Sequence, residues 1–255
     1  MKFEIITLFP EMFSAIKEEG VIARAIKKSI ISISEWQLRD FSSNKYKNID
    51  DKPYGGGGGM VMQVKPIRDC IAKIKEQTPE TKVIYLSPQG QALNQSLVEK
   101  LSSFDSLTLL CGRYEGVDER IIENDIDYEV SIGDYVISGG ELAAMVLIDS
   151  VSRRLPNVLG NECSLKDSFT DNLLDHPHYT RPETIDDQSV PGVLLSGNQT
   201  KIEAWRNEQS NEKTTTKRPD LLKKQIYCFK VFSRIVITRS IVYNFSYIFN
   251  QSLHE

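Results

Sequence analysis

The chain has 255 residues, enough for one large domain or two smaller ones, and its 40% hydrophobic and 26% charged residues exclude global disorder. The formal net charge of −4 excludes a polybasic protein but allows a nucleic-acid enzyme with a local basic face. Residues 1–200 carry a net charge of −9, whereas residues 201–255 carry +5. This asymmetry favours the C-terminal part as the contact for an anionic partner, although a chance fluctuation on a solvated surface explains it equally well.

Regular patterns begin at the N-terminus. They predict a buried strand at residues 3–9 and a helical segment at 11–28 with a break at Gly20. An alternating strand is predicted at 30–36, and a helix that Pro66 opens is predicted at 66–77. A polar stretch separates the last two and ends in five consecutive glycines, Gly55–Gly59.

Three strand patterns follow, and each runs into a loop that carries glycine: residues 82–86 before loop 87–90, 106–111 before 112–116, and 126–130 before 131–140. Helical patterns lie at about 94–102, 117–123 and 140–152. Strands that alternate with helices indicate an α/β domain with a mostly parallel sheet. Because ligands bind at the carboxyl ends of such strands, the three loops predict one composite small-molecule site.

The segment 156–200 has several Pro and Gly residues and no clear period, so we predict a domain boundary within it. We expect a first domain at residues 1–160, a flexible linker at 161–175 and a small helical domain at 176–255. Helical patterns in the last region lie near 199–208 and 219–230.

The four cysteines, at 70, 111, 163 and 228, form no C-x-x-C pair, which argues against a zinc site. The N-terminal apolar run is too short for a secretory signal, and no run of about 18 apolar residues predicts a membrane span. We therefore expect a reduced, cytoplasmic protein that does not bind membranes.

Two of the loops have the composition of binding loops. CGRYEGVDER (111–120) concentrates charges and an aromatic ring at a strand end, which also suits a surface loop of ion pairs. SIGDYVISGGE (131–141) combines glycines with apolar side chains that can enclose an adenine-like ring. The run Gly55–Gly59 lacks the Gly-Lys-Ser/Thr ending of a phosphate-binding loop and is also compatible with a plain flexible loop.

Longer strings identify a family. YGGGGGM (54–60), YLSPQG (85–90), CGRYEGVDER, SIGDYVISGGE, DSVSRRLPNVLG (149–160), DSF (167–169), LLDHPHYTRPE (173–183) and VPGVLLSGN (190–198) occur in this order. Together they resemble the bacterial tRNA (guanine-N1)-methyltransferases over about residues 1–222. The resemblance implies an α/β fold of the SPOUT class with a deep trefoil knot, an obligate homodimer with shared active sites, S-adenosylmethionine as the cofactor, and a requirement for Mg²⁺.

The resemblance also implies residue roles. The expected cofactor-binding residues are Tyr85, Leu86, Ser87, Pro88, Gly112, Tyr114, Glu115, Ile132, Gly133, Tyr135, Ile137, Gly139 and Gly140. Arg153 and Asp167 are the expected catalytic pair, with Asp167 supplied by the other subunit, and Glu115 is the expected Mg²⁺ ligand. Asn198, Trp205 and Arg206 are expected in a domain that holds the tRNA.

The chemistry fits these residue types. The N1 atom of guanine carries a proton, so Asp167 can act as the general base. The negative charge then moves to O6, where Arg153 can stabilise it through hydrogen bonds. Alternative roles stay open: Asp167 as a helix N-cap, Arg153 as an interface ion pair, and Arg154 as the arginine that faces the site. His176 and His178 resemble a ligand pair but are expected to shape a turn.

The C-terminal segment 225–250 departs from the family pattern and holds seven of the 22 aromatic residues of the chain. It fits a partner-binding segment, the product of a shifted reading frame or an unfamiliar core helix. Two alternatives to methyl transfer on tRNA also remain: a catalytically silent RNA-binding module and a knotted methyltransferase that acts on ribosomal RNA.

Overall fold

The structure is a computed structural model that describes residues 1–159 and 167–222. The chain divides into two compact units, Met1–Ser164 and Leu165–Glu255. The finer division expected from the sequence, with a flexible linker at 161–175, stays a prediction. Among the described residues, none of the helices has both the length and the apolar character that crossing a membrane requires.

The strands are β1 (Lys2–Thr7), β2 (Ser32–Gln37), β3 (Asp50–Asp51), β4 (Val61–Met62), β5 (Lys82–Ala92), β6 (Ser106–Cys111), β7 (Tyr128–Ser131), β8 (Thr184–Ile185) and β9 (Gln188–Ser189). Five of them form the sheet of the first unit in the order β2-β1-β6-β5-β7, and all neighbouring strands are parallel. The predicted α/β fold with a parallel sheet is thus confirmed. The other four strands form two short antiparallel pairs.

The helices are α1 (Ser14–Glu18), α2 (Gly20–Lys27), α3 (Val64–Gln77), α4 (Gln95–Ser102), α5 (Glu119–Asp125), α6 (Gly140–Ser152), α7 (Gly192–Leu195) and α8 (Gln199–Lys217). Single 3₁₀ turns at Pro10–Phe13 and Leu38–Phe41 precede α1 and follow β2. The helical pattern predicted over 11–28 is therefore one 3₁₀ turn and two helices, which separate where Gly20 adopts φ +80°.

Successive side chains of a strand point to opposite faces of the sheet, so apolar clusters pack on both faces. Phe3 and Ile5 of β1 pack in a cluster with α2, α4 and α6, whereas Ile6 packs in a second cluster with α3 and α5. All six residues of β6 are buried, as expected for a central strand that is covered on both faces. Because the strands are parallel, the carboxyl ends of β6 and its neighbours lie at one edge of the sheet, and the site forms at this edge.

Strand β5 is longer than predicted. Leu86 and Gln91 both pair with Val130 of β7, so the register shifts and residues 87–90 bulge out of the sheet between them. Gly90 permits the return, because a Cβ atom at this position would overlap the backbone of Glu129 and Val130. The SPQG segment is therefore a loop within a strand rather than the end of one.

The second unit is built around α8, which extends nine residues beyond the predicted end of its pattern. Asn198 caps the helix, since its side chain accepts a hydrogen bond from the Lys201 amide at 3.1 Å. The Leu174 amide donates to Oγ1 of Thr214 at 2.8 Å, and Lys213 donates to the Asp175 carbonyl at 2.9 Å. The predicted helix at 219–230 and the tail at 225–250 lie mostly or wholly outside the described residues.

Candidate active site

The loops that follow β6 and β7, together with the bulge in β5, enclose a cleft at the carboxyl edge of the sheet. The structure brings all thirteen predicted cofactor-binding residues into the lining of this cleft. Seven further residues outside this predicted set also line it: Arg113, Gly116, Val130, Ser131, Val136, Ser138 and Ala143.

Glycines bring the walls of the cleft together. A Cβ atom on Gly112 would lie 2.8 Å from the ring of Tyr85, and one on Gly140 would lie 2.7 Å from the Cα atom of Cys111. Tyr114 adopts φ +61°, a left-handed conformation that is strained for an aromatic residue and often marks functional loops. The close approach leaves main-chain groups of these loops next to one another in the lining.

Tyr85 lines the cleft and is buried. Burial raises the pKa of its phenol, while hydrogen bonds with the Val117 backbone and the Ser87 side chain partly oppose the shift. Tyr85 is therefore neutral at physiological pH, and its role in the cleft is packing and hydrogen bonding.

The glycine run is held against the loop after β6. The Glu115 amide donates to the Met60 carbonyl at 3.0 Å, and the Met62 amide donates to the Gly116 carbonyl at 3.0 Å. The side chain of Glu115 packs directly on Gly59, where any Cβ atom would collide with it. Glu115 thus lies where the glycine run meets the cleft, and its side chain is exposed to solvent.

One ion pair in the wall was not anticipated. Glu141, in the first turn of α6, is fully buried and lies 2.9 Å from the guanidinium of Arg113. Glu141 also accepts a hydrogen bond from Oγ1 of Thr7 at 2.9 Å. The sequence offered one signal for this pair, a glutamate directly after the two glycines that open an otherwise apolar helix.

The predicted catalytic residues lie in different units. Arg153 follows the last turn of α6 in the first unit, and Asp167 is exposed in the second. Asp167 opens a turn in which its carbonyl accepts from the Thr170 amide at 3.3 Å, and no helix begins there among the described residues. The N-cap role considered for Asp167 is therefore wrong. Arg154 pairs with Glu99 of α4 at 3.2 Å.

The histidines of the DHPH string contact each other and their neighbours. Nε2 of His178 lies 2.8 Å from Oδ2 of Asp175, and Nδ1 of His176 lies 3.1 Å from the Pro177 carbonyl. Burial acts to raise the pKa of Asp175, but hydrogen bonds from His178 and the His176 amide outweigh it and lower the pKa. Potential ligand atoms of Asp175, His176 and His178 lie within 4.8 Å of one another. Within residues 1–159 and 167–222, this is the one group with such spacing, and it does not include Glu115.

The sequence was also compared with known proteins. A family model described as tRNA (Guanine-1)-methyltransferase TrmD matches residues 1–224. The chain belongs to the TrmD family. Its relatives include the tRNA (guanine-N(1)-)-methyltransferase of Shewanella sediminis, 57% identical over 224 residues that cover 87% of this chain and 93% of the relative. The corresponding protein of Aliivibrio salmonicida is 56% identical over 220 residues, which cover 86% and 88% of the two chains.

Membership of the TrmD family makes the chain a methyltransferase of the SPOUT class that uses S-adenosylmethionine. The cleft suits this cofactor. Leu86, Ile132 and Ile137 provide an apolar wall, and the glycine-rich loops bring main-chain groups into the lining. The trefoil knot that the resemblance implies stays a prediction.

Proposed function

We propose that this chain transfers a methyl group from S-adenosylmethionine to N1 of the guanine 3′ of the anticodon (guanosine 37) in tRNA. The observation that carries the proposal is the family match over residues 1–224, which includes every residue of the cleft. The cofactor supplies the methyl group as an electrophile on a sulfonium centre. The thirteen predicted residues of the cleft hold it.

Asp167 accepts the N1 proton of guanine, and Arg153 donates hydrogen bonds to O6 as negative charge develops there. The assignment to Arg153 rather than to Arg154 rests on its position in the family's DSVSRRLPNVLG string. The exposure of Asp167 in a turn supports its role, because a base of this kind has to reach a bound nucleotide.

The functional unit in this proposal is a homodimer in which Asp167 comes from the partner of the subunit that supplies Arg153. The outer face of α6 supports a dimer. Leu142 and Val146, one turn apart, are 52% and 48% exposed on a helix whose other face packs against the sheet. Exposed apolar side chains at this spacing form the stripe that a second helix can cover.

Mg²⁺ completes the site in this proposal, with Glu115 as its carboxylate ligand. The exposed carboxylate at the meeting point of two cleft loops can take an oxygen-preferring cation without a buried-charge penalty. Held by Glu115, such a cation would offset negative charge that develops near the reacting atoms.

The second unit holds the tRNA, and the protein acts in the cytoplasm. The net charge of +5 over residues 201–255 supports the first point, because contacts with phosphates dominate the affinity for nucleic acids. Trp205 contacts Tyr179 with ring centroids 6.4 Å apart and lies next to Arg206, so the unit presents aromatic and basic groups together.

The deciding experiment uses labelled S-adenosylmethionine with two tRNA transcripts, which differ only in whether guanine follows the anticodon, and with ribosomal RNA as a third substrate. We expect label in the first transcript alone. Equal labelling of both transcripts would contradict the proposal, labelling of ribosomal RNA alone would favour the ribosomal alternative, and cofactor binding without transfer would favour the silent module.

The base is tested with Asp167→Ala. We expect a rate about 10²- to 10⁴-fold lower, with unchanged cofactor affinity, because only the proton transfer loses its acceptor. Asp171→Ala is the control, since it removes a carboxylate four residues away in the same segment. An unchanged rate for Asp167→Ala would remove it as the base.

The metal is tested with Glu115→Gln while Mg²⁺ is titrated. We expect half-maximal activity to require at least about tenfold more Mg²⁺, because removal of a residue that supports a metal site weakens metal affinity by about this factor or more. Glu119→Gln, at the exposed start of α5, is the control and should leave the titration unchanged. Identical titrations for both variants would exclude Glu115 as a ligand.

A further inference from the structure

We propose that Glu141 is a positioning residue of the cofactor cleft: its buried carboxylate holds Arg113, and Arg113 holds two walls of the cleft at the separation that binding requires. The proposal rests on the proposed function, because it assigns S-adenosylmethionine to this cleft. It concerns a residue outside the thirteen predicted for the cofactor.

Glu141 is held from two sides. Its Oε1 accepts from Oγ1 of Thr7 at 2.9 Å, and its Oε2 lies 2.9 Å from Nη2 of Arg113 as an ion pair rather than a directed hydrogen bond. Thr7 is oriented in turn, because its Oγ1 also accepts from the Phe9 amide at 2.9 Å. The carboxylate therefore connects the carboxyl end of β1, the start of α6 and the loop after β6.

Arg113 extends the connection to the loop after β7. Its Nη1 donates to the Ser138 carbonyl at 3.1 Å, and its Nε packs against Gly139, where a Cβ atom would overlap it. The guanidinium also lies over the ring of Phe9, 4.5 Å from its centroid. The side chain is only 18% exposed, so these contacts leave it a single orientation.

The Glu141–Arg113 pair differs from an ordinary ion pair of the core because its arginine belongs to the lining of the cleft. Arg113 lies between Gly112 and Tyr114, and all three residues line the cleft. Ser138 and Gly139, which the guanidinium contacts, belong to the loop after β7 and also line the cleft. A change in the position of Arg113 therefore moves both walls at once.

Burial explains why the charge of Glu141 matters. A carboxylate that is fully buried needs a positive partner, and its removal would leave the guanidinium with an uncompensated charge. Arg113 would then turn toward solvent, and the Ser138 carbonyl would lose its donor. We expect the loop of residues 132–139 to separate from the loop of residues 112–116 as a result.

The test measures the affinity for S-adenosylmethionine directly, by calorimetry on the full chain. Glu141→Gln keeps the shape and the acceptor for Thr7 but removes the charge. We expect the Kd for the cofactor to rise about tenfold or more while the KM for tRNA changes less than twofold. Asp125→Asn, which breaks the ion pair with Arg68 outside the cleft lining, is the control and should leave both constants unchanged.

A double-mutant cycle separates positioning from general destabilisation. If Glu141 acts through Arg113, Arg113→Gln alone and combined with Glu141→Gln should raise the Kd by the same factor. Additive effects, or a folded Glu141→Gln protein with an unchanged Kd, would overturn the proposal. If Glu141→Gln does not fold, Arg113→Lys decides: it keeps the charge but loses the fork that reaches Ser138, and an unchanged Kd overturns the proposal.

Failure of the proposed function gives a different result. A wild-type chain that binds S-adenosylmethionine but does not methylate tRNA would contradict the function, and the role of Glu141 in binding would still be measured by the Kd values.

Discussion

At the scale of single residues, the cleft depends on positions where no side chain fits. Gly140 lies against backbone atoms of Cys111 and Gly112, which cannot move aside as a flexible side chain would. Gly58 contrasts with it, because nothing lies within 4 Å of a Cβ atom there and its φ is not positive. The two glycines therefore differ in function although each belongs to a conspicuous glycine-rich string.

We expect Gly140→Ala to raise the Kd for S-adenosylmethionine more than about tenfold, because the added methyl group has to displace the loop after β6. Gly58→Ala should bind as the wild type does. Calorimetric titration of both variants measures this, and equal affinities would show that the cleft tolerates the displacement.

Cys70 and Cys111 are free thiols buried in the two core clusters. Burial raises the pKa of Cys70 to about 12 from an ordinary value of 9.0, and it raises the pKa of Cys111 as well. We expect neither thiol to react with a thiol reagent in the native protein at pH 8 to 9. The thiols are protonated in this range, and their burial keeps the reagent away from the sulfur atoms. Labelling followed by peptide mapping tests this, with the protein in denaturant as the positive control.

The same shift gives a pH dependence of stability. The folded pKa is raised, so the unfolded chain releases protons above about pH 9 that the native chain keeps. The free energy of unfolding should therefore decrease as the pH rises above 9. Rapid labelling of the native protein, or stability that increases with pH in this range, would contradict the assignment.

At the scale of elements, α6 performs two tasks. Its buried face, with Ala144, Leu147 and Ile148, packs on the sheet, and its first turn carries Glu141 into the wall of the cleft. The opposite face exposes Leu142 and Val146. An element that is apolar on two sides is typical of a helix that a second chain covers.

We expect Leu142→Lys to convert the proposed homodimer to a monomer, because a lysine in the covered face would be buried without a partner. Methyl transfer should be lost with it, since Asp167 then has no neighbouring cleft to reach. Ile185→Lys is the control, because Ile185 is an equally exposed apolar residue in the β8–β9 hairpin. Analytical ultracentrifugation measures both, and a dimeric Leu142→Lys protein would place the interface elsewhere.

At the scale of the whole molecule, the change in net charge does not coincide with the boundary between the two units. Residues 1–164, in the unit that carries the cleft, have a net charge of −5, and residues 165–200 of the second unit carry a further −4. The basic excess belongs to residues 201–255. Three of the ten basic residues there, Lys230, Arg234 and Arg239, lie beyond residue 224, where the family match ends. The remaining seven lie within the family match and carry the argument for contact with RNA.

We expect a chain that ends after residue 224 to keep its rate of methyl transfer, because the cleft, Arg153 and Asp167 all precede that point. The full chain is the control, and circular dichroism verifies that the truncated chain folds. A folded but inactive truncated chain would show that the segment 225–250 takes part in the reaction.

Much of the fold follows from local pattern. Buried parallel strands require continuous apolar runs, so SLTLLC was predicted with its actual bounds and KVIYL with its actual start, although β5 continues to Ala92. The cleft residues were placed at strand ends for the same reason, and the resemblance supplied their expected roles. The helix pattern over 11–28 was less informative, because Gly20 and the short turns divide it in ways that the apolar period does not show.

The sequence by itself determined the class of fold, the strands and the loops that carry the site, because these depend on residues close together in the chain. Only the tertiary structure decided the strand order, the register shift at Leu86 and Gln91, and the buried contacts of Glu141. Thr7 and Glu141 are 134 positions apart, and no local pattern encodes a contact over that distance. A buried carboxylate can be stable only where the folded chain brings a hydroxyl and a guanidinium to it.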